Sequence, residues 1–203
     1  MARAKRAMAR AASATRKPSG PEWVRQFPGS RSLDDLVEPF RSAAKAFVTA
    51  LLDSGCSVTI ASTLRPPERA YLMHFSTAIA RNVTLPQNVP ANPKVNIEWV
   101  HRTGGQIDQP KSRSAAVQMV QGYGIDPTSP LPALASRHTE GNAVDMSISW
   151  TGVLSIRDAK GKVVQISDSP RNGLNSHLHK VGATYNVIKA LFQDDPHWSN
   201  DGH

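Results

Sequence analysis

The 203-residue sequence predicts an α+β fold, in which helices pack on a small antiparallel sheet. The order of segments with helical spacing and segments of period two is mixed along the chain. The run Ala143–Trp150 alternates apolar and polar residues, which is typical of a strand with one buried side. Two apolar segments, 153–156 and 163–166, flank Asp-Ala-Lys-Gly and predict a β-hairpin.

The first half of the chain predicts two helices and a strand. Ser32 can cap a first turn, and Pro39 can open the main helix. Gly55 is placed to stop that helix. The apolar residues of this helix recur at helical spacing, namely Phe40, Ala43, Ala44, Phe47, Leu51 and Leu52.

Residues 57–63 alternate as a strand, and a second helix is predicted from Arg65 to about Ala80.

The second half is less regular. Residues 82–112 are rich in Pro, Asn, Gly and Gln and predict a long excursion, within which 95–100 can form a short strand. A helix is predicted around 113–121, before the loop that contains His138. The last helix is predicted from about Leu178 to Phe192, because apolar residues recur there at helical spacing.

Charge divides the chain into three predicted regions. Residues 1–19 carry six Lys and Arg and no acid, which predicts a basic disordered tail. Residues 20–31 are predicted to be a linker or arm, and 32–203 a single folded domain. Outside the tail, 18 basic residues face 16 acidic ones, without a basic stripe among aromatics, so nucleic acid is not the expected partner. The tail suits an anionic envelope instead.

No segment approaches the roughly 18–20 apolar residues of a membrane span, and Arg10 interrupts what would be the apolar core of a secretory signal. The expectation is synthesis in the cytoplasm without a secretory signal. Cys56 is the only cysteine, so an intrachain disulfide is excluded, and a small buried thiol is expected.

The most informative segment is Ser136-Arg-His138-Thr-Glu-Gly-Asn-Ala-Val-Asp145. In the alternating strand that follows, Asp145 projects to the polar side, and His138 lies on the loop leading in. Near the end of the sequence, His197 can supply a third ligand. Catalytic zinc usually takes three protein ligands and keeps a fourth position for water. The sequence therefore predicts a metal site of His138, Asp145 and His197.

Hydrolysis also needs a base and a cation near the attacked carbonyl. Asp194 and Asp195 compete for the role of base, and the three-residue spacing to His197 favours Asp194. Arg65 is the candidate cation, although it can also be a helix-start residue paired with an acid. Ser136 is a candidate substrate-binding donor or a turn former.

Other polar residues have simpler interpretations. His177 and His179 are predicted to be surface or capping residues, since they lie where a helix should begin and the ligand set is complete without them. His74 and His101 have no partner at ligand spacing and are predicted to be structural. Glu140 is predicted to face solvent.

These motifs together resemble the zinc D-alanyl-D-alanine carboxypeptidase family, which includes vancomycin-resistance D,D-peptidases and phage L-alanyl-D-glutamate endopeptidases. The resemblance covers roughly residues 57–198 and is carried by Ser-x-His-x-x-Gly-x-Ala-x-Asp at 136–145, Asp-x-x-His at 194–197 and Ser-x-x-Arg-Pro at 62–66. It implies that His138, Asp145 and His197 bind Zn²⁺. It likewise implies that Asp194 is the base and that Arg65 steadies the substrate carbonyl.

The predicted domain at 32–203 is therefore expected to be a zinc peptidase domain with its zinc site at the sheet face. The resemblance implies a peptidoglycan hydrolase that acts on stem peptides of the bacterial cell wall, as a phage-type endopeptidase. A D-alanyl-D-alanine carboxypeptidase is the alternative within the enzyme class, and a non-catalytic zinc-stabilised binding module is an alternative outside it. The excursion at 82–112 exceeds the length expected of compact family members, which leaves substrate preference open.

Overall fold

The structure, a computed structural model, describes residues 16–190 and 195–203. Most of the predicted tail therefore lies outside the described residues. The fold is α+β, as the sequence predicts. Its helices are α1 Phe40–Asp53, α2 Pro67–Ala80, α3 Gln109–Tyr123 and α4 Ser176–Thr184. Among the described residues, no helix combines the length and the apolar character that crossing a membrane requires.

The strands of the described residues are short, and they form four separate sheets, three of which have only two strands. In chain order they are β1 Lys17–Pro18, β2 Ser57–Ser62, β3 Ile97–Glu98, β4 Arg102–Thr103, β5 Gln106–Ile107, β6 Ala143–Ser149, β7 Leu154–Arg157, β8 Val163–Ile166 and β9 His197–Ser199. The largest sheet is antiparallel and has the order β2-β6-β9. The hairpin predicted from the two apolar segments is confirmed as β7 and β8.

The chain forms two compact units. Unit 1 comprises the chain up to Phe27 together with Glu68–Leu134, and unit 2 comprises Pro28–Pro67 and Ala135–His203. Each unit buries its own apolar cluster.

Unit 1 is mainly helical. It contains α2 from Glu68 and α3, the parallel pair β1–β3 and the β4–β5 hairpin. The predicted short strand within 95–100 is confirmed by β3. The segment 20–31, expected to be a linker or arm, forms a 3-10 helix at Pro21–Arg25 that buries Trp23. The apolar core of unit 1 includes Trp23, Tyr71, Leu72, Phe75, Ile79, Val95, Ile97, Trp99, Ala116 and Met119.

Unit 2 contains the β2-β6-β9 sheet, α1, α4 and the β7–β8 hairpin. Helix α1 forms where the apolar spacing predicts it, and Gly55 follows its end with a positive φ of 82°. The Ser32 side chain caps a short 3-10 helix, accepting from the Asp34 N–H at 3.2 Å. The apolar residues of α1 pack against the buried side of β6, and this packing orients the polar side of the strand away from the core.

The last helix differs from the prediction. Helix α4 ends at Thr184, well before Phe192, which lies outside the described residues. The chain turns through Asn186, whose φ is 60°, and the N–H of Val187 donates back to the Gly182 carbonyl at 3.0 Å. Ile188 then pairs with Ser199 in an isolated antiparallel bridge. Val187 is buried in this extended segment, which runs beside β9.

Candidate metal centre

Two strands and one turn position the predicted ligands. Asp145 in β6 and His197 in β9 are direct cross-strand partners. The main-chain hydrogen bond from Met146 N to the Pro196 carbonyl, 2.8 Å long, holds these strands together beside them. His138 lies in the turn before β6. The sheet and the turn thus bring the three predicted residues together within unit 2.

Three side-chain atoms converge at this point. His138 Nε2 lies 3.0 Å from Asp145 Oδ1 and 3.3 Å from His197 Nδ1. The third side, from His197 Nδ1 to Asp145 Oδ1, measures 3.2 Å. The two histidines are buried and the aspartate is half-buried. Such a group of nitrogen and oxygen donors can hold a metal ion.

The orientation of His138 is set by its backbone surroundings. Its Nδ1 lies 2.7 Å from the Thr63 carbonyl. A carbonyl oxygen only accepts, so Nδ1 is the protonated nitrogen, and in the neutral ring Nε2 presents a lone pair. That lone pair points at the Asp145 carboxylate, which is also an acceptor. Two acceptors at 3.0 Å require a cation between them, either a proton or a metal ion.

The charge state of Asp145 suits a ligand. Burial raises the pKa of this carboxyl, but where a proton is the cation between the groups, hydrogen bonds and charge from His138 and His197 outweigh that effect. The pKa therefore lies well below its usual range, and the carboxylate is ionised at neutral pH. An ionised carboxylate is the form that binds metal.

A cavity of about 520 Å³ opens beside the cluster and is lined by Arg65 and Ser136 as well as by the three cluster residues. The main-chain N–H of Arg65 donates to the His138 carbonyl at 3.0 Å. This bond joins the segment after β2 to the turn that contains His138. Ser136 Oγ is buried and makes no hydrogen bond within the described chain. Both residues line the cavity, and their roles in substrate binding stay predictions.

The two candidate bases differ in what the structure describes. Asp194 lies outside the described residues, so its role stays a prediction. Asp195 is exposed, and its carbonyl accepts from Lys189 Nζ at 2.6 Å. Its backbone thus has a structural partner in the turn before His197.

Sequence reasoning missed an ion-pair group at the cavity. Arg137 Nε donates to Asp201 Oδ2 at 2.9 Å, and Nη1 donates to Glu140 Oε2 at 2.6 Å. These contacts hold the pKa of Asp201 at about 2, chiefly through the hydrogen bond from Arg137. Arg137, Glu140 and His203 all line the cavity. Glu140 is exposed as predicted, but no spacing rule reveals its pairing or that of Asp201.

The other histidines make ordinary polar contacts. His177 is exposed and pairs with Asp168, and His179 Nε2 lies 2.8 Å from the Gly173 carbonyl. His74 Nδ1 contacts the Pro132 carbonyl at 2.8 Å, and His101 Nε2 lies 3.0 Å from Ser19 Oγ. Among the described residues, the metal-capable group consists of the three predicted ligands and none of these four.

Comparisons with known proteins do not assign a family. A scan against models of protein families finds no match, and a search of curated proteins finds none either. Function is therefore inferred from the motifs and from the geometry of unit 2.

Proposed function

We propose that the protein is a zinc-dependent peptidase that hydrolyses a peptide bond in the stem peptides of bacterial cell-wall peptidoglycan. The observation that carries this proposal is the convergence of His138, Asp145 and His197 beside a cavity that Arg65 also lines. A metal ligand set, a cation and a space for substrate together favour metal-assisted hydrolysis over a purely structural role. The wall substrate is taken from the resemblance of the motifs.

The donor set suits zinc. Bonds of about 2.0–2.2 Å from zinc to nitrogen or oxygen place tetrahedral ligand atoms roughly 3.3–3.6 Å apart. The three donor atoms lie 3.0–3.3 Å from one another, slightly closer than that range. Two imidazoles and one carboxylate, without a thiolate, are typical of hydrolytic rather than structural zinc sites.

Zinc and three residues of the chain have defined tasks in the proposed reaction. His138, Asp145 and His197 would hold the zinc ion, which when bound would acidify a water molecule and polarise the substrate carbonyl. Asp194 accepts a proton from the nucleophile and returns it to the leaving amine. The Arg65 guanidinium stabilises the negative charge that develops on the carbonyl oxygen, and the Ser136 hydroxyl donates to the bound peptide.

The surroundings of Arg137 favour an endopeptidase over a carboxypeptidase. A carboxypeptidase needs a cation that binds the free carboxylate at the end of its substrate. Arg137 lines the cavity, but its guanidinium already donates to Glu140 and Asp201. Two acidic partners neutralise it, so it is a poor anchor for a third carboxylate.

The same cavity weighs against a non-catalytic zinc-stabilised module. Structural zinc sites are closed by four protein ligands. Among the described residues three candidate ligands meet, and a cavity of about 520 Å³ borders them. An accessible fourth position serves a reaction and has no role in a structural site.

The deciding experiment is mass spectrometry of purified muropeptides after incubation with the protein. Zinc-loaded protein should cleave the stem peptide internally, and a chelator should stop cleavage until zinc is restored. Asp168→Asn, which alters an exposed carboxylate of unit 2, serves as the matched control and should cleave normally. Release of terminal D-alanine alone would establish the carboxypeptidase, whereas zinc binding without any cleavage would support the binding module.

A further inference from the structure

Lys189 is a buried lysine beside the candidate metal centre, and only 5% of its surface is exposed. Removing an ammonium group from water costs several kcal/mol unless polar partners replace the water. Lysine is therefore almost never buried to this extent without a specific partner. Its location in the extended segment after α4 calls for a physical explanation.

The partners of Lys189 include main-chain carbonyls in the segment that presents His197. The ammonium donates to the Asp195 carbonyl at 2.6 Å and to the carbonyl of His197 itself at 3.2 Å. It also lies 5.6 Å from the centre of the Trp198 ring, within the range of a cation–π contact. One cation thus contacts three of the four residues from 195 to 198.

The backbone beside Lys189 brings this cation into place. The preceding residue, Ile188, exchanges two main-chain hydrogen bonds with Ser199, 2.8 and 2.9 Å long. On its other side β9 pairs with β6, where His197 faces Asp145. The His197 backbone is therefore fixed both by β6 and by the segment that contains Lys189.

We infer that Lys189 is a positioning residue for the metal ligand His197, because its ammonium fixes the carbonyls at 195 and 197 and so holds the imidazole toward His138 and Asp145. This inference rests on the metal site of the proposed function. Groups that orient a ligand from behind, without touching the metal, typically change metal affinity by about 10–100-fold when removed.

The test uses the full chain and measures binding of Co²⁺ alone, through its affinity and its visible absorption spectrum. Lys189→Met removes the ammonium but keeps a flexible side chain of similar length. We expect affinity to fall about 10–100-fold, with a changed Co²⁺ spectrum and an unchanged near-ultraviolet circular dichroism spectrum of the metal-free protein. Lys189→Arg, which keeps the charge and the donors, should recover part of the affinity. Lys180→Met, an exposed lysine of α4, is the matched control and should behave as wild type.

Wild-type Co²⁺ affinity and spectrum in Lys189→Met would overturn the inference and leave the peptidase proposal intact. Conversely, a wild-type protein that binds metal but cleaves no muropeptide would end the peptidase proposal, while the binding series would still decide the role of Lys189. If Lys189→Met does not fold, Lys189→Arg and Lys189→Gln decide, with affinity expected to decrease in the order Lys, Arg, Gln. A series in which no variant folds, or in which folded variants bind equally well, overturns the positioning role.

Discussion

Two histidine–carboxylate pairs in unit 2 have nearly the same length and very different surroundings. His138 and Asp145 approach to 3.0 Å with side chains 6% and 20% exposed. His177 and Asp168 approach to 3.1 Å with side chains 52% and 44% exposed. The buried His197 also contacts the first pair, and the Thr63 carbonyl orients the His138 ring and therefore its Nε2 atom. The second pair lies at the solvent-exposed start of α4.

The difference shows that a short His–Asp distance does not by itself indicate a metal site. Water screens the charges of the exposed pair. In the buried group, three donor atoms meet in a small volume that water screens poorly, so a bound cation relieves the repulsion among their lone pairs. Burial and a third donor distinguish the candidate metal centre.

The largest expected effect, on metal content and activity, comes from removing the histidine of the buried pair. Removing the histidine of the exposed pair is the comparison. His138→Ala should lose its bound metal and reduce peptide cleavage to the level without enzyme, because two ligands hold zinc poorly. His177→Ala should keep both metal and activity. Metal analysis of the two purified variants, together with muropeptide cleavage, checks the contrast. A full complement of metal in His138→Ala would contradict the ligand assignment.

The second prediction separates ligand from base within the segment before β9. Asp194→Ala should retain zinc but lose turnover on the order of 10²-fold or more, because it removes the proposed proton acceptor and no ligand. Asp195→Ala should have a much milder effect, since its side chain is exposed. Steady-state kinetics and metal analysis of both variants give the result. The reverse pattern would assign the role of base to Asp195.

The third prediction concerns the cation that lines the cavity. Arg65→Lys keeps a positive charge but loses the planar guanidinium, so activity should fall roughly 10-fold, less than the ~10²–10³-fold of deleting a complete donor. Metal content and the unfolding midpoint should stay unchanged. Kinetics equal to those of wild type would make Arg65 a structural residue at the start of α2.

The smallest expected effect is on thermal stability and comes from Asp201. Its carboxylate pairs with the permanently charged Arg137 instead of with a histidine. Arg137 lowers its pKa from an ordinary value of 3.8 to about 2, so the native state gains stability above pH 3.8 and loses it as the pH falls toward 2. Asp201→Asn should lower Tm slightly at neutral pH, with the difference disappearing near pH 2. Thermal unfolding of both proteins across this range measures it, and a constant difference would contradict the assignment.

The part of the site that follows local sequence patterns could be predicted. Period-two alternation identifies the strand that carries Asp145, and it also determines that this carboxylate lies opposite the buried side. Loop spacing places His138 near the start of that strand. These inferences succeed because strand geometry links the side-chain direction directly to sequence position.

The remainder depends on contacts between distant segments. Strand β9 has only three residues and no alternation to reveal it, so its pairing with β6 was not predicted. Helix α4 ends early because Ile188 pairs with Ser199, a tertiary contact that overrides helical spacing. The contacts of Lys189 were missed for the same reason, since they involve main-chain carbonyls that no residue type encodes.

The pairing of β9 with β6 also has a consequence for the order in which the protein assembles. Asp145 and His197 are 52 positions apart, so their contact closes a long loop whose entropy cost is met late in folding. A metal ion that needs both residues binds only after β9 has docked on β6. The bound ion therefore stabilises the docked position of this edge strand. At a free concentration 100 times its Kd, such an ion stabilises the docked state by about 2.7 kcal/mol. Metal supply would then set how often this strand detaches and becomes accessible to proteases.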